Sequence, residues 1–309
     1  MAKLLTGKPV AAAVKAALKD LIAANSLQPR MLLIQAGADP ASEFYVQNIV
    51  SNGAKLGCEV ILRSLPADVS QAQLLDCVEG ANLDPSVHGI MIQKPLPAGI
   101  DDNLIGSAID PRKDLDCLNP QNLGKIILEA PGPLPCTPLA ALCTLKYYQI
   151  PIQGRHVVII GRSSIVGKPL ANMLLWKKPF ANASVTVCHS RSQNLAELTQ
   201  TADILIAAIG KPEFVKQDLI KENCVLLDVG INAVVDAQGK QSYVGDIDFN
   251  SCQDKALAIT PVPGGIGSVT TSLLFLNLVQ ACLAAQGVNK NIDDFLGLIF
   301  DAEKKEITP

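Results

Sequence analysis

Two glycines around a short polar turn form the segment best suited to binding phosphate groups. Gly161 and Gly167 follow the β-branched run at 157–160 and precede a stretch with helical spacing, a pattern that predicts strand, turn and helix. Such a turn directs backbone N–H groups and the positive end of a helix dipole towards one point. That arrangement can hold the phosphates of a dinucleotide without dedicated side-chain charges.

The spacing of these glycines departs from the two familiar phosphate-binding patterns. It is not G-x-G-x-x-G, and five residues separate Gly161 from Gly167 where a P-loop has four, with Pro169 following Lys168. Taken alone, the turn is about as typical of an ordinary strand-to-helix connection as of a nucleotide site. The motifs in the rest of the chain are needed to distinguish these two interpretations.

Further apolar runs after this turn favour a nucleotide site. Strands are predicted at 184–188, 203–209 and 224–229, and they are followed by His189-Ser190-Arg191-Ser192, by Gly210 and by Gly230. Strands that alternate with helical segments predict a parallel, doubly wound α/β sheet, whose ligand crevice lies at the carboxyl ends of the strands. All of these glycines fall at that edge.

The first half of the chain shows the same alternation and ends at a proline-rich break. Strands are predicted at 30–37, 59–63 and 89–93, and a helix at 42–56 with Ser42 as its N-cap after the turn Asp39-Pro40. The segment 131–135 reads Pro-Gly-Pro-Leu-Pro, the clearest break in the chain. The sequence therefore predicts two α/β domains that meet near residue 135.

Composition excludes several classes of protein. The chain has 309 residues, 49% of them apolar, and a formal charge of −3 with no basic run, which argues against nucleic acid as a partner. The N-terminus predicts an amphipathic helix, not a signal peptide, and the apolar stretch 272–285 is too short to cross a bilayer. We expect a cytoplasmic protein with no membrane contact.

The cysteines favour reduced, buried thiols. Nine cysteines are scattered along the chain without a C-x-x-C pair, and only three histidines accompany them. Buried thiols fit this distribution better than disulfides or a zinc site. No metal is predicted.

Eight short motifs occur in a fixed order along the chain. They are Ser42-x-x-Tyr45-Val46, Gln93-x-Pro95-Leu96-Pro97, Lys113-Asp114-Leu115-Asp116, Pro135-Cys136-Thr137-Pro138, Gly161-Arg162-Ser163-x-Ile165-Val166-Gly167, Asp228-Val229-Gly230-Ile231-Asn232, Gly245-Asp246 and Thr260-Pro261-Val262-Pro263-Gly264-Gly265-Ile266-Gly267. In order and spacing, over nearly its whole length, the chain resembles the bifunctional methylenetetrahydrofolate dehydrogenase/cyclohydrolase family.

The resemblance implies a fold of two domains and a cleft between them. Residues 1–135 would form a folate-binding catalytic domain, 136–270 a Rossmann-like NAD(P)-binding domain, and 271–309 a C-terminal segment that packs back on the first domain. The expected activity is oxidation of 5,10-methylenetetrahydrofolate to 5,10-methenyltetrahydrofolate by hydride transfer to NADP. The expected assembly is a homodimer.

The resemblance also assigns roles to individual residues. Tyr45 would stack on the folate, Asp116 would hold the pterin, and Gln93 would lie beside the reacting carbon. Two further substrate-binding positions and six cofactor-binding positions follow from the same motifs: Pro263 and Gly264 for the substrate, and Gly161, Arg162, Ser163, Ile165, Gly167 and Ile231 for the cofactor.

The cofactor's 2′-group is expected at the turn after the second strand of the Rossmann-like domain. His189, Ser190 and Arg191 form this turn, and Arg162 follows the first glycine of the phosphate-binding turn. No acidic residue ends the second strand to select a free ribose 2′-hydroxyl. NADP is therefore favoured, with NAD as the alternative.

Several positions depart from the family pattern. Ile49 stands where the family has a lysine, four residues after Tyr45, so we expect it to point into the same cleft. Four other departures are Lys94 for leucine, Cys117 for glycine, Ala140 for glycine and Ser268 for proline. The usual catalytic ammonium group is therefore missing at position 49.

The missing ammonium affects the two family activities differently. Hydride transfer is driven by a ring-nitrogen lone pair, so the reacting carbon needs no general base. The cyclohydrolase step adds water and breaks a C–N bond, which requires proton transfers worth roughly 10²–10⁴-fold in rate. The sequence therefore predicts a dehydrogenase with weak or absent cyclohydrolase activity.

Two alternatives stay open at this point. The first is a fully bifunctional enzyme in which Lys94 or Lys55 takes the place of the missing lysine. The second is a catalytically silent subunit that binds folate or nucleotide and acts as a partner or regulator.

Overall fold

The computed structural model describes residues 1–37, 40–235, 239, 241–290 and 292–300. They divide into two compact units. The six-stranded unit comprises Met1–Ala12 and Thr137–Thr270, and the three-stranded unit comprises Ala13–Cys136 and the chain from Thr271 onward. The sequence placed residues 1–12 with the first domain, whereas the structure places them with the six-stranded unit, because the first strand of the chain pairs there.

The strands are, in chain order, β1 (Lys3–Leu4), β2 (Arg30–Ala36), β3 (Glu59–Leu65), β4 (Gly89–Ile92), β5 (His156–Ile160), β6 (Ser184–Cys188), β7 (Ile204–Ala207), β8 (Val225–Asp228), β9 (Asn232–Val235), β10 (Gln241–Val244) and β11 (Ala258–Ile259).

The helices are α1 (Gly7–Ala24), α2 (Pro40–Leu56), α3 (Gln71–Leu83), α4 (Asp102–Ala108), α5 (Pro120–Ile127), α6 (Cys136–Tyr147), α7 (Gly167–Leu175), α8 (Leu195–Thr199), α9 (Phe249–Cys252), α10 (Gly267–Ala285) and α11 (Ile292–Phe300), with a 3₁₀ helix at Gln217–Leu219.

The six-stranded unit contains a parallel sheet in the order β1-β11-β8-β7-β5-β6. The central strands β5, β7 and β8 are buried almost throughout, as expected for a parallel sheet covered on both faces. Strand order reverses around β5, which confirms the predicted doubly wound α/β fold. The hairpin of β9 and β10 is a separate antiparallel pair.

The three-stranded unit is built on the parallel sheet β3-β2-β4. Beyond β4 the chain continues the sheet through an isolated parallel bridge between Ile90 and Asp114. Backbone hydrogen bonds from Ile90 N to Lys113 O and from Leu115 N to Ile90 O hold this segment beside β4, at 2.6 and 3.3 Å. The loop after Leu115 therefore leaves the sheet at its carboxyl edge.

Two local predictions were wrong. Helix α2 begins at Pro40, so Ser42 lies inside the helix and is not its N-cap; Asp39 lies outside the described residues.

The apolar C-terminal stretch is also longer than expected, because α10 begins at Gly267 and has 19 residues, with a mean hydropathy of 1.6. By length and composition it could cross a membrane, but 72% of it is buried within the structure, as in a core helix.

Lys113 joins the end of α3 to the segment that leads to Asp116. Its ammonium donates to the carbonyl oxygens of Ala81, Asn82 and Asp84, at 2.9, 2.8 and 2.7 Å. Carbonyls at the C-terminus of a helix have no partner within the helix and carry its negative dipole end, so a cation is well placed there. Lys113 therefore has a structural role in this unit.

We predict that Lys113→Met lowers the free energy of unfolding by about 1–3 kcal/mol, because a charged donor is removed from three carbonyl oxygens while the aliphatic stem is kept. Chemical denaturation measures this change. Lys19→Met is the control, since Lys19 is exposed on α1 and its loss should change stability by less than about 0.5 kcal/mol. Equal effects of the two substitutions would contradict the assigned role.

Candidate functional site

The turn between β5 and α7 is closed by contacts that only glycine permits. Gly161 has φ +133°, and a Cβ there would collide with the carbonyl oxygen of Ala208. A Cβ on Gly167 would collide with the carbonyl oxygen of Gly161. Backbone atoms thus approach one another where side chains would otherwise stand.

Ser163 shapes the same turn from within. Its hydroxyl oxygen accepts from the backbone N–H groups of Val166 and Gly167, at 3.1 and 3.4 Å, and its carbonyl accepts from Lys168 N at 3.0 Å. Ser163 thereby satisfies donors at the start of α7 that the helix cannot satisfy itself. The predicted phosphate-binding turn is therefore a pre-formed structure.

A cavity of ≈ 360 Å³ lies at this carboxyl edge of the six-stranded sheet. It brings together five residues predicted from the sequence with residues that the sequence did not suggest. Its lining is Ile160, Gly161, Arg162, Ser163, His189, Ser190, Leu195, Ala208, Ile209, Lys211 and Phe214. Of the other predicted cofactor residues in these two turns, Ile165, Gly167 and Arg191 lie outside this lining as far as the described residues go.

The turn after β6 is held by its own side chains. The hydroxyl of Ser192 accepts from His189 N at 2.9 Å, and Nδ1 of His189 accepts from Arg191 N at 3.1 Å. Because Nδ1 accepts, the proton of a neutral His189 ring is on Nε2. This arrangement presents His189 and Ser190 to the cavity, and the exposed Arg191 follows directly.

Lys211 and Phe214 are the cavity residues that sequence reasoning missed. The Lys211 ammonium lies 5.5 Å from the centroid of the Phe214 ring, within the range of a cation–π contact. The sequence gave only a weak indication of this role: Lys211 follows Gly210 in the loop after β7, which ends at Ala207 at the same edge of the sheet. Lys211 adds a second cation to the cavity beside Arg162.

Two buried carboxylates fix the loops beneath this cavity. Asp246 accepts from the backbone N–H groups of Ile209, Gly210 and Lys211, at 2.7, 3.0 and 2.8 Å. Asp228 accepts from the backbone N–H groups of Gly230, Asp246 and Ile247. Burial raises the pKa of Asp228 to about 7, although the hydrogen bonds from these donors lower the pKa and offset part of the rise.

A smaller cavity of ≈ 210 Å³ in the six-stranded unit joins three further predicted residues. Ile231, Pro263 and Gly264 all contribute to its wall. Gly264 has φ +102°, and its carbonyl accepts from Gly7 N at 2.7 Å, which ties this loop to the start of α1. The structure therefore groups the predicted substrate residues Pro263 and Gly264 with the predicted cofactor residue Ile231.

In the three-stranded unit, the predicted substrate residues share the carboxyl edge of the sheet. Gln93 follows β4 directly, and Asp116 lies two residues beyond Asp114, whose bridge to Ile90 runs parallel to β4. Both residues therefore follow the carboxyl ends of neighbouring parallel segments, which lie about 4.8 Å apart. Tyr45 is half-buried in α2, which begins at this same edge after β2.

Gln93 carries an unsatisfied polar atom. Its Nε2 donates to the carbonyl of Lys94 at 2.7 Å, while its Oε1 is buried and has no hydrogen-bond partner among the described residues. Buried polar atoms are nearly always paired, and exceptions mark positions where a ligand or water completes the bonding. Gln93 is therefore suited to accept a hydrogen bond from a bound molecule.

Asp116 lies in an environment that disfavours its charge. Loss of solvent raises the pKa of its carboxyl, as does the nearby carboxylate of Asp114, while the Cys136 thiol and the charge of Lys94 lower it. The charged form of such a carboxylate is stabilised when it accepts hydrogen bonds from a ligand that presents N–H donors. Burial and Asp116 also raise the pKa of Cys136, which keeps that thiol protonated.

Asp114 fixes the loop that carries Asp116. Its carboxylate accepts from the backbone N–H groups of Leu118 and Asn119 and from the side chain of Asn122, at 3.0, 2.8 and 2.9 Å. Cys117, the departure from the family glycine, has φ +57° and is 2% exposed. The backbone therefore keeps the left-handed conformation that glycine would favour, although a side chain there costs roughly 1–2 kcal/mol.

Ile49 is fully buried on helix α2. It is 0% exposed and belongs to the buried stripe of α2 with Val46, Gly53 and Leu56, whereas Tyr45 is only half-buried. The spacing of 46, 49, 53 and 56 is that of a core-facing helix surface. Ile49 is therefore a buried residue of α2, one helical turn from Tyr45, and its direction towards the folate site stays a prediction.

The two candidate replacement lysines differ in position. Lys94 is adjacent to Gln93 and pairs with Asp102, its Nζ 2.8 Å from Oδ2, and its charge lowers the pKa of Asp116. Lys55 is exposed in the last turn of α2, ten residues and about 15 Å along the helix from Tyr45. Of the two, Lys94 is the one near the predicted substrate residues.

Both halves of the chain match domains of one family. Residues 5–116 match the catalytic domain described as tetrahydrofolate dehydrogenase/cyclohydrolase, and residues 135–286 match its NAD(P)-binding domain. A relative from Chlamydia felis, named bifunctional protein FolD, is 46% identical over 276 residues, which cover 89% of this chain and 96% of the relative.

Solved structures agree with these matches. A bifunctional methylenetetrahydrofolate dehydrogenase/cyclohydrolase from Campylobacter jejuni has a TM-score of 0.86 and 38% identity, covering 92% of this chain and 99% of its own. A methylenetetrahydrofolate dehydrogenase-cyclohydrolase from Trypanosoma brucei, complexed with NADP and an inhibitor, has a TM-score of 0.86 and 33% identity, covering 92% and 98%.

The glycine turn gives a prediction that does not depend on any activity. Gly167→Ala should lower the free energy of unfolding by about 1–3 kcal/mol or more, because its Cβ meets a backbone carbonyl that cannot rotate away. Gly124→Ala in α5 is the matched control: its Cβ has no neighbour within 4 Å, so it should be neutral or stabilising. Thermal and chemical denaturation measure both, and an unchanged Gly167→Ala protein would contradict the described turn.

Proposed function

The chain belongs to the tetrahydrofolate dehydrogenase/cyclohydrolase family, and we propose that it oxidises 5,10-methylenetetrahydrofolate to 5,10-methenyltetrahydrofolate with NADP. The carrying observation is that Gln93 and Asp116 follow the carboxyl ends of neighbouring parallel segments, and Tyr45 lies on the helix after β2, in a chain that matches both domains of the family. Identities of 33–46% over about nine-tenths of the chain support the proposal.

The six-stranded unit fits NADP. The tight turn at Gly161 and Gly167 leads into the N-terminus of α7, the positive end of a helix dipole, and Arg162 and Lys211 add positive charge to the adjoining cavity. When bound, NADP accepts the hydride. The residues of the chain have to hold it, orient it and exclude water.

The three-stranded unit supplies the substrate groups. The Asp116 carboxylate suits the N–H donors of a pterin ring, and the free Oε1 of Gln93 accepts a hydrogen bond beside the reacting carbon. The half-buried ring of Tyr45 offers a face for stacking. During oxidation the folate ring nitrogen donates its lone pair to the carbon that loses hydride, so these residues need only position the substrate.

The cyclohydrolase activity has two candidate outcomes. The relative at 46% identity is named as bifunctional, which favours the alternative in which this chain also hydrolyses methenyltetrahydrofolate. The position of Lys94 supports that alternative, because its ammonium lies close enough to act on Asp116. On this view the proton-transferring cation has moved from helix α2 to the residue after Gln93.

The second candidate is a dehydrogenase that lacks cyclohydrolase activity, and Ile49 is the observation that favours it. A fully buried isoleucine can neither take nor deliver a proton when water adds to the methenyl carbon. The Lys94 ammonium is already engaged in an ion pair with the Asp102 carboxylate, which directs it away from a reacting water molecule. The two candidates differ only in the second reaction.

Absorbance of methenyltetrahydrofolate and of NADPH, followed together, tests the proposed function. With methylenetetrahydrofolate and NADP, we expect NADPH to form in the unmutated protein. The bifunctional outcome predicts methenyltetrahydrofolate hydrolysis well above the uncatalysed rate, and the second outcome predicts hydrolysis at that rate. Folded protein that gives no NADPH with NADP and no NADH with NAD would favour a silent subunit and contradict the proposal.

We predict that Lys94→Leu separates the two outcomes. If Lys94 moves the protons, the substitution should lower hydrolysis by roughly 10²–10⁴-fold while NADP reduction changes little. Lys216→Leu, at an exposed position of the other unit, is the control. Hydrolysis that is strong and unaffected by Lys94→Leu would contradict the relocated ammonium.

The restoring substitution is Ile49→Lys, with Ile49→Met as its uncharged control of similar size. If hydrolysis is weak in the unmutated protein, Ile49→Lys should raise it above the uncatalysed rate, and Ile49→Met should not. Burial lowers the pKa of a lysine, which supplies the neutral amine that a base requires. Melting temperatures of both variants show whether a cation at this buried position is tolerated.

For the cofactor, we predict that Arg191→Ala raises the KM for NADP more than the KM for NAD, because Arg191 follows the turn that carries His189 and Ser190. Arg162→Ala and Lys211→Ala are the comparisons, since both residues line the cavity directly. If either of these substitutions raises the KM for NADP more selectively than Arg191→Ala does, that residue and not Arg191 contacts the 2′-phosphate.

A further inference from the structure

An asparagine interrupts the apolar run of helix α10. Asn277 stands within a stretch of leucine, phenylalanine and valine from 273 to 279, and it is 3% exposed. Burying an amide among apolar side chains costs free energy unless the amide is hydrogen-bonded. The backbone of the helix is already bonded within the helix, so it does not require a polar side chain at this position. The partners of the Asn277 amide therefore indicate what the residue does.

The Asn277 amide binds two backbone carbonyls outside its own helix. Its Nδ2 donates to the carbonyl oxygens of Leu115 and Leu134, each at 2.8 Å. A side-chain amide has two N–H donors, and both are used here. Leu115 directly precedes Asp116. Leu134 lies two residues before Cys136, where α6 begins. One side chain thus joins the segment that carries Asp116 to the segment that leads into α6.

The peptide group before Asp116 is held at both ends. Its carbonyl belongs to Leu115 and is bound by Asn277. Its N–H group belongs to Asp116 and is hydrogen-bonded to the Asp114 carboxylate. Because a peptide group is planar, fixing both of its ends restricts the direction in which the next side chain leaves the backbone. The Asn277 bond therefore limits where the Asp116 carboxylate can stand.

Cys136 approaches Asp116 from the second segment. Its Sγ lies 3.7 Å from the carbonyl oxygen of Leu115 and 3.8 Å from Nδ2 of Asn277. The Cys136 thiol also hydrogen-bonds the Asp116 carboxyl. Since Asn277 holds the chain just before Cys136 through Leu134, it fixes both the peptide group before Asp116 and the thiol beside it.

Packing alone does not hold the Asp116 segment against α10. A cavity of ≈ 530 Å³ lies beside this segment, and Asp114, Leu115 and Asn277 contribute to its wall. Backbone that borders such a space lacks van der Waals contacts on one side, so hydrogen bonds have to hold it in place. Without the Asn277 amide, the segment would have room to shift towards the cavity.

We propose that Asn277 is a positioning residue for the folate site, and that its amide holds the Asp116 carboxylate where the pterin ring binds. The inference rests on the proposed function, in which Asp116 binds the pterin. Asn277 acts through Leu115 and Cys136 and not on the substrate itself. Because Asp116 holds the ring before and during hydride transfer alike, displacing its carboxylate weakens substrate binding more than it slows the reaction.

Steady-state kinetics of NADP reduction tests this role. Asn277→Leu keeps a branched side chain but has no donors, so we expect the KM for methylenetetrahydrofolate to rise roughly 10- to 100-fold. The kcat and the KM for NADP should change little, since binding of the folate ring is what is lost. Asn277→Ala adds no volume, so a similar rise in the folate KM excludes overpacking by leucine as the cause.

Gln280→Leu is the matched control. Gln280 lies about one turn further along α10 and lines the same cavity, and its Nε2 donates to the carbonyl oxygen of Lys290 at 3.1 Å. This substitution also removes a side-chain amide from a backbone carbonyl, but it leaves the contacts of the Asp116 segment unchanged. We expect the KM for methylenetetrahydrofolate to stay as it is in the unmutated protein.

Hydrogen exchange followed by mass spectrometry observes the segment without any turnover. The N–H groups of Asp116, Leu118 and Asn119 bind the Asp114 carboxylate. In both Asn277 variants a peptide covering 114–119 should exchange roughly 10-fold faster, because the segment loses a hydrogen bond that keeps it closed. Gln280→Leu should leave this exchange rate unchanged.

The inference and the proposed function fail in different ways. Folded, unmutated protein that forms no reduced cofactor contradicts the proposed function and this inference together. Active protein in which neither Asn277 variant raises the folate KM above that of Gln280→Leu, or in which the loss is confined to kcat, overturns the inference alone, even if melting temperatures fall. A raised folate KM with faster exchange of 114–119 supports it. If Asn277→Leu does not fold, Asn277→Ala decides by the same two measurements.

Discussion

Buried carboxylates that accept backbone N–H groups hold the functional loops of both units. Asp114 fixes the loop that carries Asp116, and Asp246 with Asp228 fixes the loop that presents Lys211. Removing a carboxylate from water is costly unless donors surround it, so each loop can adopt only the conformation that supplies those donors. The pKa values of Asp114 and Asp228 are still raised, because these hydrogen bonds offset only part of the free energy lost on burial of each carboxylate.

The same constraint explains why glycines surround the site. A Cβ on Gly245 would collide with the Asp228 carboxylate, and a Cβ on Gly230 would collide with Asp246. Side chains are therefore absent where the backbone has to approach a buried carboxylate closely.

Much of this arrangement could be predicted from the sequence because it depends on local patterns. Short β-branched runs gave the parallel strands, and β6 was predicted to the residue at 184–188. Long-range contacts could not be read in this way: the pairing of β1 with β11 moves residues 1–12 to the other unit, and Lys211 reaches the cavity only because β7 lies beside β5. The complete burial of Ile49 could not be predicted either, because helical spacing gives a direction around the helix and not the depth of the core. Ser42 was taken for a cap because the helix was expected to start two residues late.

Transfer of deuterium tests the central claim most directly. Methylenetetrahydrofolate carrying deuterium on the methylene carbon is mixed with the protein and NADP, and the reduced cofactor is analysed by mass spectrometry. Hydride transfer breaks one C–D bond and moves the deuterium with its electron pair to the nicotinamide. With both methylene hydrogens replaced by deuterium, the account predicts one deuterium in each reduced cofactor and one reduced cofactor for each methylenetetrahydrofolate oxidised. Reduced cofactor without deuterium, or no reduced cofactor from folded protein, would contradict it.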